Sequence, residues 1–383
     1  MERTNIEIRS LDGIRGIAAL LVAVYHFTLH SDFSRSFYLV VDLFFILSGY
    51  VMIRSYSNRL SSRIELANFM FRRFGRLYPV HLAMLILVVL SANALEYLKI
   101  VARPLGLGGL LNSPVVHLGF PGAHAIAANL LLLQGFGPVS QSWDINHPSW
   151  SISVEFYTYL IFALAMLWLA AKWRKAAFVA LGASGMVFTV CWSIIGQHCL
   201  SDGECMNVFD GLSIFRCIGG FFIGVLIFEF DTVRWMKSAI WASACQIASL
   251  LLMLLIMAGS GPLPALALFS NIAFAGLILS LQTDRGPVAY LLNRPAIQYL
   301  GKLSYSIYMC HWSFLMMSDI MHKPVSPALK LAVLCAYLLI MLAVAALTYV
   351  LIEQPFRLAT RRAAKRFFVD PAQSRAGEAS SGV

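Results

Sequence analysis

Ten runs of apolar residues, each near twenty long, constrain this chain more than any motif in it. They lie at about 11–30, 37–55, 77–95, 150–171, 176–197, 212–230, 239–258, 264–282, 298–318 and 329–351. A helix of about 20 apolar residues crosses the hydrocarbon core of a bilayer, and helix satisfies every backbone polar group where no water can. The expected fold class is all-α: a polytopic membrane helical bundle of about ten transmembrane helices. Composition agrees, because 383 residues that are 59% hydrophobic and only 13% charged cannot cover a soluble surface of that size. Glu2 and Glu7 precede the first run and no small-residue cleavage pattern follows it. That run is therefore expected to stay as a span rather than leave as a signal peptide.

Ten spans put both termini on one side, and basic residues decide which. If the N-terminus is inside, inner segments carry 23 of the 29 Lys and Arg, and outer segments the remaining six, Arg216 among them. That bias predicts a multi-pass plasma (inner) membrane protein with cytoplasmic N- and C-termini. It also accounts for the net charge of +10 as a topology signal, leaving no need for nucleic acid as a partner. The seven cysteines lack metal-ligand spacing, and no metal is expected. Cys199 and Cys205 share a polar loop and can pair if that loop faces an oxidising compartment. The long stretch 96–149 is expected to hold a short helix near Ala125–Leu133 and to cap an external site with Trp143, His147 and Trp150. An integral-membrane domain over 1–360 and a basic, then disordered, tail over 361–383 complete the expected organisation.

Polar groups inside the spans point to chemistry. Arg15 and His26 are eleven positions apart, close to three helical turns, so they share one stripe about 16 Å long. Arginine and histidine in hydrocarbon are costly unless paired or wetted. Asp42, in the second span, comes to the depth of His26 if the two spans are antiparallel neighbours. There it either fixes the imidazole tautomer or is half of a structural charge pair. Ser48-Gly49 adds a hydroxyl and a point of close approach. Glu155 opens the fourth span, either as an acid or as a carboxyl satisfied by local donors. Arg72 and Arg76 share a helical face suited to gripping phosphates, although inner loops also collect arginine for topology. Tyr305, Tyr308 and Trp312 share a face in the ninth span, and Glu353 with Arg357 is expected to cap the tenth.

Six segments in order make a pattern: Arg15 with ten residues before His26; Asp42-Leu43-Phe44-Phe45-Ile46-Leu47-Ser48-Gly49-Tyr50; and Arg72-Arg73-Phe74-Gly75-Arg76-Leu77-Tyr78-Pro79. The others are Trp150-Ser151-Ile152-Ser153-Val154-Glu155-Phe156-Tyr157, Ser304-Tyr305-Ser306-Ile307-Tyr308 and Glu353-Gln354-Pro355-Phe356-Arg357. Together they resemble acyltransferase family 3, the integral-membrane O-acyltransferases that modify envelope or exported carbohydrates, over about residues 10–360.

The resemblance implies transfer of an acyl group, commonly acetyl, from cytoplasmic acyl-CoA to a hydroxyl of a cell-surface or exported polysaccharide. His26 would be the general base, with Asp42 and Glu155 completing the catalytic set. Arg15, Arg72, Arg76, Ser48 and Tyr305 would hold the donor, and Trp150, Ser153 and Tyr308 the acceptor. The extracytoplasmic hydrolase-like domain that the family often carries is not expected in a chain of this length. A proton-coupled transporter or flippase of a lipid-linked saccharide is the rival, because proton relays use the same intramembrane residues. An acyltransferase acting on a small cytoplasmic metabolite is another.

Overall fold

A computed structural model describes residues 8–28, 31–102, 104, 121–137, 145–209 and 211–368. Among the described residues there is helix and no strand. In chain order the helices are α1 (Arg9–Phe27), α2 (Val40–Tyr56), α3 (Arg63–Ala102), α4 (Ala123–Leu130), α5 (Trp150–Trp168), α6 (Ala171–Cys191) and α7 (Cys199–Asp202). They continue with α8 (Ser213–Glu229), α9 (Ala239–Gly259), α10 (Ser270–Leu281), α11 (Pro287–Leu292), α12 (Pro295–Cys310), α13 (Pro327–Thr348) and α14 (Gln354–Phe367). Each expected apolar run is helical over most of its described residues. Eight described helices are long and apolar enough to cross a membrane. The runs at 212–230 and 298–318 form shorter α-helices of 17 and 16 residues, and the second tightens into a 3-10 stretch from His311 to His322.

Local sequence sets the helix boundaries. At the start of α3, Glu65 accepts hydrogen bonds from the Ser61 and Ser62 amides (2.7 and 3.2 Å), while the Glu65 amide donates to Ser62 Oγ at 3.2 Å. This reciprocal capping box nucleates a 40-residue helix that continues through Pro79. Ser326 caps α13 by accepting from the Leu329 amide, with Pro327 filling the first turn where its missing N–H costs nothing.

The helix that carries the tenth span continues past Glu353-Gln354-Pro355. A π turn over Tyr349–Glu353 absorbs the proline, and helix runs without a break from Pro327 to Phe367. The expected boundary at 360 falls inside α14, and the expected disordered tail from 369 onward lies outside the described residues. So does Trp143.

Packing places α2 centrally: 78% of its apolar window is buried, against 22% for α9 and for Pro327–Phe367, which turn most of their surface outward. Two close approaches position the site. A Cβ on Gly16 would come within 2.5 Å of the Gly301 nitrogen, and one on Gly301 within 2.3 Å of the Asp12 oxygen, so α1 and α12 touch backbone to backbone. Gly49 and Gly224 do the same for α2 and α8, each Cβ landing 1.8 Å from a carbonyl oxygen of the other helix. Small residues at such crossings are how membrane helices approach closely without a hydrophobic driving force between them.

Candidate active site: two cavities and their junction

The bundle encloses two cavities that meet. One is lined by Arg15 and Arg76, with Ser48, Glu155, Tyr159 and Tyr305 among its polar wall and Phe44, Phe45, Leu47, Val51 and Met52 among its apolar wall. The other is lined by His26, His147, Asn207 and Arg216 within a ring of Tyr25, Tyr38, Trp150, Phe209 and Trp312. Val41 and Tyr308 belong to both linings. Measured out to their mouths, open space included, they hold about 720 and 930 Å³. The stripe on α1 therefore joins two chambers, with Arg15 in the first and His26 in the second, as an unbroken helix requires.

In the arginine cavity Ser48 Oγ donates to Glu155 Oε1 at 2.6 Å, and the Tyr159 hydroxyl donates to the same oxygen at 2.5 Å. Tyr159 stands one turn beyond Glu155 on α5, the spacing that brings two side chains onto one face. Glu155 thus faces the arginines rather than His26, separated from Trp150 at the other cavity by more than one turn of α5. Tyr305 reaches across from α12 and donates to the Leu77 carbonyl at 2.6 Å, which ties α12 to α3 at the cavity wall. Arg76 lines this cavity but Arg72 does not. Arg72 lies one turn away, donates to Asn68 Oδ1 at 2.8 Å, and lines a separate cleft with Tyr56, Arg59, Glu65 and Phe69. Of the three arginines expected to hold the donor, Arg15 and Arg76 share this cavity and Arg72 lies outside its lining.

In the histidine cavity His26 is half-buried in a cage of rings. Centroid separations are 4.9 Å to Tyr25, 5.2 Å to His311, 5.3 Å to Trp312 and 5.9 Å to His147. His311 stacks on His26, and its Nδ1 meets the Tyr308 carbonyl at 2.6 Å. A carbonyl only accepts, so Nδ1 carries the proton and Nε2 is a bare acceptor, buried without a partner. Tyr308, at the junction, shares a hydrogen bond with Ser151 Oγ (2.8 Å) and donates to the Pro148 carbonyl at 3.2 Å.

Asp42 does not orient His26. Its two oxygens accept from Nε and Nη2 of Arg216, both at 2.9 Å, with 0% and 1% of the two side chains exposed. Arg216 also reaches the Val208 and Tyr38 carbonyls and lies 5.7 Å from the Trp150 ring. The pair forms because α2 and α8 cross at Gly49 and Gly224; a bidentate guanidinium satisfies a carboxylate that hydrocarbon would otherwise exclude. Arg216 had been counted as an outer-loop charge. Its place inside the 212–230 apolar run was the signal that it lies at membrane depth. Ser153 is also corrected. It is buried, donates to the Leu132 carbonyl at 2.5 Å and accepts from the Gly135 amide at 3.1 Å, so it anchors the 131–137 loop and lines neither cavity. Trp150 and Tyr308 do line the histidine cavity. Glu353 accepts from Ser306 Oγ at 2.8 Å instead of pairing with Arg357. Cys199 and Cys205 form a disulfide beside the loop that carries Asn207. No group of three or more potential metal ligands occurs among the described residues.

The fold defines a multi-pass helical membrane protein with a two-chambered polar interior. A family model described as an acyltransferase domain matches residues 8–352, and the chain belongs to acyltransferase family 3. It is an O-acyltransferase of the membrane. A protein of Komagataeibacter xylinus, provisionally named membrane-bound transacylase BcsY, is 24% identical over 363 residues, covering 90% of this chain and 82% of that one. A protein of Rhizobium radiobacter, named protein 2 in the picA locus, is 32% identical over 192 residues, 47% of this chain and 92% of that protein. A provisionally named O-acetyltransferase of Staphylococcus aureus strain COL is 24% identical over 390 residues; 91% of this chain spans 57% of it. No solved structure matches the chain.

Proposed function

We propose that the protein moves an acyl group, acetyl by the resemblance, from acyl-CoA to a hydroxyl of a cell-surface or exported carbohydrate, with the donor in the arginine cavity and the acceptor in the histidine cavity. One observation carries this reading: the two cavities meet at Val41 and Tyr308, with Arg15 and Arg76 on one side and His26 on the other. Arginine forks suit phosphate, and the apolar wall of Phe44, Leu47 and Met52 suits a pantetheine arm. The aromatic ring of Trp150 and Trp312 with Asn207 suits a sugar, whose faces are apolar and whose edges are polar.

In the reaction, His26 takes the proton of the acceptor hydroxyl as its oxygen attacks the thioester carbonyl carbon. The tetrahedral intermediate collapses, the carbon–sulfur bond breaks, and the leaving thiolate takes the proton held by His26 to give free CoA, which restores the neutral imidazole. Tyr308 lines both cavities at the junction, where its hydroxyl would donate to the oxyanion by turning away from the Pro148 carbonyl. Filling of the junction by donor and acceptor would exclude water and favour the sugar hydroxyl as nucleophile.

The basic-residue bias and the Cys199–Cys205 disulfide both support cytoplasmic termini with the 197–211 loop outside, since disulfides persist in oxidising compartments. The test is release of free thiol from acetyl-CoA by purified protein, together with mass spectrometry of surface carbohydrate from cells lacking it. Thiol release that depends on His26, together with loss of acyl groups from surface carbohydrate, is the expected result. A small metabolite acylated at unchanged surface carbohydrate overturns the acceptor. Substrate movement without thiol release overturns the chemistry in favour of transport.

A further inference from the structure

Arg15 and Arg76 line the arginine cavity, and Arg76 is also within electrostatic reach of Arg361. Arg361, which is exposed, is within reach of Arg73 and Arg357 too. Among the described residues none of the five is hydrogen-bonded to protein, although Asp12 and Glu155 act on Arg15 from a distance. Arg15, Arg73, Arg76, Arg357 and Arg361 make no hydrogen bond or ion pair with protein; the contacts of Arg73 are with the ring faces of Tyr56, Phe69 and Tyr159, at 5.7 to 5.9 Å. Two of the five bury donors with nothing to bond: Nε and Nη1 of Arg73, and Nε of Arg357. The acid at the head of α14, Glu353, accepts from Ser306 and lies within electrostatic reach of Arg76, Arg357 and Arg15, so it offsets one charge of the five.

The crowding follows from how α14 lies on α3. A Cβ on Gly75 would come within 2.2 Å of Thr360 Oγ1, so the helices are in close contact there, and Phe71 meets Phe368 further along the seam. Arg72 and Arg76 are four apart on α3, and Arg357 and Arg361 four apart on α14, so each pair forms a stripe. Arg361 lies within electrostatic reach of Arg357, Arg72, Arg73 and Arg76. Like charges gathered at a seam repel, and unbonded buried guanidinium groups cost free energy, unless an anion bridges them.

We propose that α14 is the second jaw of a polyphosphate clamp, with Arg357 and Arg361 opposing the α3 arginines, and that it holds the phosphorylated nucleotide end of the donor. The inference rests on the acyl-CoA reading above. Its specific content is that Arg361 and Arg357 recognise the 3′-phosphate. Arg15 and Arg76, which line the cavity itself, take the diphosphate from which the thioester arm runs inward. Charge count favours a nucleotide over a lipid headgroup, because five guanidinium groups match three phosphates better than one. Only the nucleotide also places a long arm in the cavity those arginines open.

The experiment compares binding of acetyl-CoA and 3′-dephospho-acetyl-CoA to the full chain by calorimetry. Wild type, Arg361→Gln and Arg361→Lys are each measured in nanodiscs of neutral lipid and of lipid containing phosphatidylglycerol. Wild type is expected to bind acetyl-CoA about tenfold or more tighter than the dephospho form, the scale of a charge-assisted hydrogen bond. Arg361→Gln should lose that preference while binding dephospho-acetyl-CoA as wild type does, and Arg361→Lys should keep part of it. These results should be the same in both lipids. Equal wild-type affinity for the two donors overturns the clamp and leaves the donor reading standing. A lipid-dependent effect assigns the arginines to a headgroup instead. If wild type binds neither donor, the acyl-CoA reading falls and the clamp falls with it.

Discussion

The two cavities treat their arginines in opposite ways. Arg216, in the wall of the histidine cavity, is saturated: a bidentate carboxylate, two carbonyls and an indole face surround it. Arg15 and Arg76, in the other cavity, have no protein acceptor among the described residues. The same residue type at membrane depth therefore marks architecture in one chamber and an unfilled valence in the other. The difference is whether a carboxylate is bonded to the guanidinium: Glu155 lines the same cavity as Arg15 and Arg76, but its hydrogen bonds are to Ser48 and Tyr159. A buried guanidinium with its partner in place holds helices together; one without is arranged for something that comes from outside the chain.

The comparison can be broken first at Asp42. Replacing it with Ala leaves Arg216 buried and unpaired, at a cost of about 3–5 kcal/mol. The expected outcome is loss of the folded, detergent-soluble protein, with partial recovery in Asp42→Ala/Arg216→Met; a single variant that melts like wild type would mean the pair is not structural. Next comes His26→Ala. It should lower turnover by about 10²- to 10⁴-fold with the melting temperature unchanged, measured as thiol release at saturating donor. Arg15→Gln follows: it should raise the KM for acetyl-CoA by about tenfold or more with little change in turnover, since it removes a charge-assisted contact to the donor. An effect on turnover alone would move Arg15 from binding to chemistry. The smallest change is Ser153→Ala, expected to cost about 1 kcal/mol of thermal stability by releasing the Leu132 carbonyl, with activity kept. If it instead weakens acceptor use, the loop it anchors shapes the acceptor chamber.

Much of this was legible in the chain. Each apolar run is largely helical because length and hydropathy decide that without reference to neighbours. Arg15 and His26 stood out because ionisable residues inside such runs have no topological reason to be there, and a straight α1 then requires them to lie in line. What could not be read was adjacency. Asp42 seemed destined for His26 by depth alone, but depth does not say which helix lies alongside. The crossing of α2 and α8 through Gly49 and Gly224 joins residues 174 positions apart. Arg72 and Arg76 share a face in sequence, yet one turn of rise is enough to put Asn68 in reach of the first and the cavity in reach of the second. Ser153 looked like a hydroxyl at a binding mouth, and only the path of the 131–137 loop shows that backbone claims it.

The seam between α3 and α14 has a consequence for what kind of molecule the site can accept. Arg63–Ala102 is 40 residues long and the helix Pro327–Phe367 is 41. At 1.5 Å per residue each is about 60 Å, twice the thickness of the hydrocarbon that it crosses. Their basic halves lie side by side, so both overhang the bilayer at the same end, like two posts of a pier. On the clamp proposed above, the 3′-phosphate would stay in water between them at high dielectric, and the diphosphate would enter only as far as Arg15 and Arg76, whose charges offset the several kcal/mol per charge of leaving water. Only the donor's tether and cargo would need to go deeper between the helices. On that reading, a carrier that is itself impermeant could serve as donor, because depth in the membrane would be required of its thioester arm and acyl end rather than of its nucleotide.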